Sequence, residues 1–177
     1  MIGLVELNRV IDMEEISTQY PIEFKPLPLE MYSGVAGAYF NSTIYLNKAT
    51  ENVLTVIHEF GHHLERLVLG NRASFLTSKE GIELISKVKE TASFKSLLKS
   101  KIPLEKLGYY TSEKEIFSRL IEQYLAKKRG GEILRQFEKS QLIYFRKYKV
   151  DLYIKNKEFE LIEKMIDNIF KTRKLLK

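Results

Sequence analysis

Beyond Val53 the apolar positions fall at helical spacing, with Val53, Ile57, Phe60, Leu64 and the pair Leu67/Val68 recurring between Thr50, a capping residue, and Gly70. This predicts a helix across that stretch. Ahead of it the pattern changes. The runs IGLVELNRVI and SGVAGAYFNSTIYLN read as β-like, and in the second AYF and IYL flank the turn-prone NST, which predicts a short hairpin with an aromatic face. Between the runs, YPIEFKPLPLE carries Pro21, Pro26 and Pro28 and is expected to be an extended, irregular connection. Downstream the helical period returns. A second helix is expected from near Thr77, where TSKE offers a capping box, through Leu84, Ile85, Val88 and Leu97 to a stop before Pro103. A third follows LGYY, runs over TSEKEIFSRLIEQYLAKK and ends at Gly130 and Gly131. Two more cover about Glu132 to Lys149 and about Asn156 to Lys174. Strands first and helices afterwards predict an α+β fold in one domain spanning 1–177, with a strand-rich part at 1–49, central helices at 50–130 and C-terminal helices at 131–177. The strands are expected to form a small, mostly antiparallel sheet.

Every histidine of the chain, His58, His62 and His63, lies within the single stretch TVIHEFGHHLERL. Residues four apart share a helix face, so His58 and His62 project together and can hold one ion at about 2.0–2.1 Å from each ring nitrogen. With Glu59 beside the first, this is the HExxH arrangement, in which two histidines bind zinc and the glutamate activates the attacking water. Such a match also arises by chance on amphipathic helices. Three features weigh against chance here: the absence of histidine elsewhere, the motif's place on the polar side of a strongly periodic helix, and the hairpin directly before it. Gly61 inside the motif costs about 1 kcal/mol relative to alanine, so another backbone is expected to pack closely there. His63 is turned away by its helical phase and is expected in outer packing.

The chain has no cysteine, which removes disulfides, thiolate nucleophiles and Cys-based zinc sites. A catalytic zinc takes three protein ligands and keeps one open position, so the third ligand has to be a carboxylate. Glu65 shares the face of His58, but three ligands along one straight helix do not easily close on one ion. Glu115 lies on a separate helix that can approach from the side. Ser112 and Glu115 also fit a capping box, which gives Glu115 a competing structural use.

HEFGHHLE followed by YYTSEKEIFSRLIEQYL resembles the zincin metallopeptidases of the gluzincin type, particularly the group related to the catalytic domain of anthrax lethal factor. It is more similar still to phage-associated and mobile-element-associated peptidases, whose second motif has the form E-x-F-A-R-x-F-E-x-Y. Here that motif reads Glu115, Phe117, Ser118, Arg119, Ile121, Glu122 and Tyr124, with Ser118 and Ile121 as mild departures. The likeness covers roughly Gly37 to Tyr124, with a weaker one in the last helix. It implies a zincin-like fold with an edge strand before the HExxH helix, one Zn²⁺ per chain on His58, His62 and Glu115, and Glu59 as general base. It also implies an oxyanion donor at Tyr109 or Tyr110, although a chain with 10 tyrosines has ordinary packing uses for either. The activity implied is that of an endopeptidase on protein or peptide substrates, in the host cell of a phage or mobile element. Glu65, Arg119 and Glu122 are placed to support the ligands by hydrogen bonding; for Arg119 an ordinary surface ion pair is the equal alternative.

The remaining composition changes the picture little. A net charge of +6 is carried by interspersed lysines and arginines without a block of like sign, so nucleic acid is not an expected partner. No apolar run approaches the roughly 20 residues of a membrane span, and the N-terminus lacks a signal-peptide pattern, so a cytoplasmic location is expected. The competing functional reading is a metal-stapled binding module whose basic C-terminal helices contact nucleic acid or an acidic protein.

Overall fold

The computed structural model describes residues 2–28, 36–47, 52–70 and 73–177. Its architecture is α+β, a helical body carrying one small sheet. Two helices form its centre. α3 (Val53–His63) begins at Asn52, whose side chain accepts a hydrogen bond from the Thr55 N–H at 3.1 Å. The expected cap, Thr50, lies outside the described residues. The apolar stripe of α3 is buried at Val53, Ile57 and Phe60, as its period predicts. Past His63 the coil widens into a π-helical turn over Leu64–Val68, closed by the Leu69 N–H bonding the Leu64 carbonyl at 2.9 Å.

α7 (Glu113–Arg129) lies against α3, and every residue from Glu115 to Ala126 is buried. A helix covered on all sides belongs to the core, so its charged side chains must find partners inside the protein. The two backbones come close at Gly61, where a Cβ would lie 2.8 Å from Ser118 Cα. This is the close approach that the glycine within the motif predicts. Around the pair, α4 (Lys79–Glu90), α6 (Leu104–Thr111) and α8 (Gly131–Tyr148) pack on α7, α5 (Ala92–Leu98) joins α4 to α6, and α9 (Asn156–Thr172) packs on α4.

The sheet has the order β1 (Glu23–Pro26), β3 (Thr43–Leu46), β2 (Gly37–Phe40). β2 and β3 form the expected hairpin through Asn41 and Ser42, both with positive φ. β1 comes from the proline-rich stretch and adds in parallel, so the sheet is mixed rather than mostly antiparallel. Pro26 is tolerated because β1 is an edge.

Three local expectations are corrected. IGLVELNRVI opens as helix α1 (Ile2–Leu7), not a strand; the segment docks against α3 with Leu7 buried and Val5 exposed, and Ile11, beyond the helix, is buried in a bridge to Leu176. α2 (Met13–Gln19) follows, with Asp12 accepting from the Glu15 N–H at 3.2 Å. The single helix expected through Leu97 is two, because Thr91 leaves helical geometry and its hydroxyl caps α5 at the Phe94 N–H. LGYY, ahead of α7 as expected, is itself helical and belongs to α6. Among the described residues, no helix is long and apolar enough to cross a membrane.

Gly61→Ala sets two effects against each other. Helix propensity favours alanine by about 1 kcal/mol, whereas crowding a packed backbone costs typically about 1–3 kcal/mol. The expected outcome is a net loss in unfolding free energy by urea titration; a gain would show that α3 and α7 do not meet as described.

Candidate metal centre

α3 presents His58 and His62 on one face, and α7 presents Glu115 and Glu122 opposite. Glu115 bridges both imidazoles. Its carboxylate oxygens lie 3.2 Å from His58 Nε2 and 3.2 Å from His62 Nε2. Donors held about 2.1 Å from a tetrahedral ion are about 3.4 Å apart, so these separations, which in the absence of an ion are those of hydrogen bonds, also suit a ligand set. One donor atom from each of His58, His62 and Glu115 lies within 4.8 Å of the others, and among the described residues this is the one group of its kind. The three are therefore close enough to hold a metal ion. The capping alternative for Glu115 is not used, since Ser112 makes no side-chain cap at the start of α7.

A second carboxylate fixes the first imidazole. His58 Nδ1 faces Glu122 Oε2 at 3.3 Å, and Tyr153 Oη donates to Glu122 Oε1 at 2.8 Å. In the neutral tautomer the Nδ1 hydrogen goes to Glu122, which leaves the Nε2 lone pair aimed at the ligand position. Tyr153 lies in the segment between α8 and α9, and nothing local in the sequence marks it.

The electrostatics fit a cation site. Burial alone would drive the proton off His58, but hydrogen bonds to Glu115 and Glu122, with the charges of Glu122 and Glu59, outweigh it and push its pKa up to about 10. Glu115 moves in the opposite direction: burial raises it, and the bonds to His58 and His62 prevail and hold it far below the usual carboxylate range. Glu59 is 7% exposed; burial raises its pKa, the charges of Glu115 and Glu122 add to this, and His58 and His62 oppose it. A carboxylate raised toward neutrality suits proton transfer. Gly37 makes room for it, since a Cβ there would lie 3.1 Å from Glu59 Cγ and 2.7 Å from Thr55 Cγ2.

The tyrosines separate. Tyr109 sits at the rim, with its hydroxyl beside Glu115; burial, then the Glu115 charge and hydrogen bond, keep the phenol protonated. Tyr110 turns into an aromatic cluster with Tyr144 and Tyr148. Arg119, expected to orient Glu115, instead donates to the Tyr110 carbonyl and lies over the Tyr110 ring, 5.7 Å from its centroid. Glu65, expected to support a histidine, accepts from the Ser74 hydroxyl. His63 is not in outer packing. It is fully buried between Phe60 and Tyr39, and burial, opposed only by a backbone group of Tyr20, lowers its pKa to about 4, so it is a neutral ring of the core.

Two hollows flank the site, one of about 480 Å³ containing His58, Glu122, Tyr110 and Tyr144 and one of about 470 Å³ containing His62, Tyr39 and Arg66. They share Gly37, Glu59, Tyr109 and Glu115, so together they form one cleft with the ligand group midway. No family model, no curated protein and no solved structure matches this chain.

Two outcomes test the centre. Glu122→Gln and Tyr153→Phe are expected to weaken zinc affinity by about 10–100-fold, as loss of a ligand's hydrogen-bonding partner generally does, with folding retained by circular dichroism. The second concerns pH. His58 has a raised folded pKa, so its ion pairing stabilises the metal-free protein fully below about 6.5 and is lost as pH rises through about 10. An ion replaces that proton, so the melting-temperature gap between zinc-loaded and metal-free protein should widen over this window. A constant gap would contradict the arrangement.

Proposed function

We propose that this protein is a zinc-dependent endopeptidase with a zincin-like active site. The observation that carries the reading is the convergence of His58, His62 and Glu115 beside the buried Glu59, in a cleft open on both sides. The resemblance of both helical motifs to gluzincin peptidases supports it.

A zinc ion on these ligands would act as a Lewis acid toward the scissile carbonyl and would lower the pKa of a water to about 7. Glu59 accepts a proton from the water as its oxygen attacks the carbonyl carbon, then delivers that proton to the nitrogen as the C–N bond breaks. Burial raises its pKa above the ordinary carboxylate value, the direction that favours taking up the proton. The Tyr109 hydroxyl, protonated at the rim, is the oxyanion donor in this scheme, and Tyr110 serves to position the end of α6 through Arg119. Glu122 and Tyr153 hold His58 in its ligating tautomer. β2 is the outer strand beside α3, so the backbone groups on its free edge are available to an extended peptide lying in the cleft. In this reading the substrate is a protein or peptide, and the location is the cytoplasm of a cell hosting a phage or mobile element.

The deciding experiment measures zinc content and hydrolysis of a peptide library together. Glu59→Gln is expected to keep the ion and abolish cleavage, and Tyr109→Phe to lower kcat by about 10²–10³-fold. A Glu59→Gln protein as active as wild type would refute the mechanism. If no peptide is cleaved by zinc-loaded wild type while the ion is bound tightly, the metal is a staple.

A further inference from the structure

The fold assembles a basic groove that the sequence disperses. Lys95 and Lys99 come from α5 and the residue after it, Lys101 follows, and Lys147 and Lys149 come from the end of α8. These residues line one hollow of about 830 Å³, and all five side chains are exposed. Among the described residues none of them forms a salt bridge. Some lysines elsewhere are neutralised, Lys87 with Glu90 at 2.8 Å, Lys89 with Glu113 at 2.6 Å, Lys127 with Glu163 at 3.0 Å and Lys128 with Asp167 at 3.0 Å; others, such as Lys114 and Lys164, also form no salt bridge among the described residues, so what distinguishes the five is that they line one hollow. The acids around it are engaged by other groups: Asp151 by Lys155 at 4.0 Å, Glu90 by Lys87 at 2.8 Å, and Glu158 by the Ala92 and Ser93 backbone N–H groups, although Glu90 also feels the charge of Lys95. Like charges gathered without counter-charge repel one another, so an anionic occupant is favoured there.

Two observations narrow the occupant. The Ser100 hydroxyl lies in the groove wall, buried and without a hydrogen-bond partner. Tyr148 forms another part of the wall, and its ring meets Tyr110 at 6.4 Å and Tyr144 at 6.4 Å, both of which line the metal cleft. The groove and the cleft therefore share one aromatic partition. Against burial, the charges of Lys106 and Lys147 pull the Tyr148 phenol below its usual range, a sign of the positive potential at this wall.

We propose that this groove docks an acidic segment of the polypeptide whose scissile bond enters the cleft, with Lys95, Lys99, Lys101, Lys147 and Lys149 as the recognising charges. The assignment of that polypeptide as substrate rests on the peptidase reading above. A polypeptide is favoured over nucleic acid because Tyr148 is taken up by Tyr110, Tyr144 and Lys147 and offers no free face for base stacking, and because the groove adjoins the cleft. Single exposed ion pairs are weak, so recognition depends on several lysines acting together on one run of carboxylates, and it weakens as salt screens them.

The test uses zinc-loaded full-length protein carrying Glu59→Gln, so that nothing is cut, and a fluorescein-labelled deca-glutamate peptide read by anisotropy. K95E/K99E/K147E is expected to weaken binding at least about tenfold at low salt, while K164E/K171E/R173E, the same charge change on and just after α9, stays within about twofold. If reversal impairs folding, judged by thermal melting, K95Q/K99Q/K147Q replaces it, with a loss of about threefold or more expected. Equal loss in the groove and control variants, no peptide binding, or preferential binding of a single-stranded oligonucleotide of equal charge would overturn the proposal. In the wild-type background, appending the glutamate tail to a cleaved peptide should lower its KM, and the groove variant should not register the tail. Peptide binding without any cleavage would retain the acidic-segment site and discard the peptidase reading; cleavage with no tail effect and no groove-dependent binding would do the reverse.

Discussion

Three carboxylates and two imidazoles meet between α3 and α7 with little access to water, and most of the structure around them serves to keep this concentration of negative charge tolerable. Glu59, Glu115 and Glu122 are each less than a tenth exposed. Burying a single unpaired carboxylate costs several kcal/mol, far more than any one surface contact returns, so the cluster persists only with positive charge in its midst. Without metal, a proton on His58 fills that role, shared between Glu115 and Glu122. A divalent ion between His58, His62 and Glu115, which lie close enough to hold one, would face all three at once. The chain makes the interior position possible by removing side chains at Gly61, where α7 crosses, and at Gly37, where β2 covers Glu59.

Elements whose own side chains declare their surroundings were readable from the chain alone. α3, α7, α8 and α9 carry long apolar periods, and the hairpin has its Asn41–Ser42 turn between aromatic runs. The misreadings occur where tertiary contact decides. α1 docks through Leu7 on α3, and β1 becomes a strand only because β3 offers it an edge. The break at Thr91 rests on one hydroxyl cap inside an otherwise continuous apolar pattern.

The site divides in the same way. His58, Glu59 and His62 are a local pattern, and Glu115 is reachable through the second motif and its likeness to known peptidases. Tyr153 is not, because its role exists only when the α8–α9 connection folds back onto Glu122. For Arg119, helical phase shows which face the residue occupies but not that α6 ends against it with a carbonyl to receive the guanidinium. His63 was placed on the correct side of α3 and at the wrong depth: the side away from the ligands is the side covered by Phe60 and Tyr39.

The π-helical turn over Leu64–Val68 bears on how this helix tolerates change. Such a turn is the trace of one extra residue accommodated in an α-helix. Because it lies wholly beyond His62, the wider turn redirects the exiting chain without moving the imidazoles relative to each other. The orientation of the two histidines and the heading of the segment that follows are thus set by separate stretches of one continuous coil.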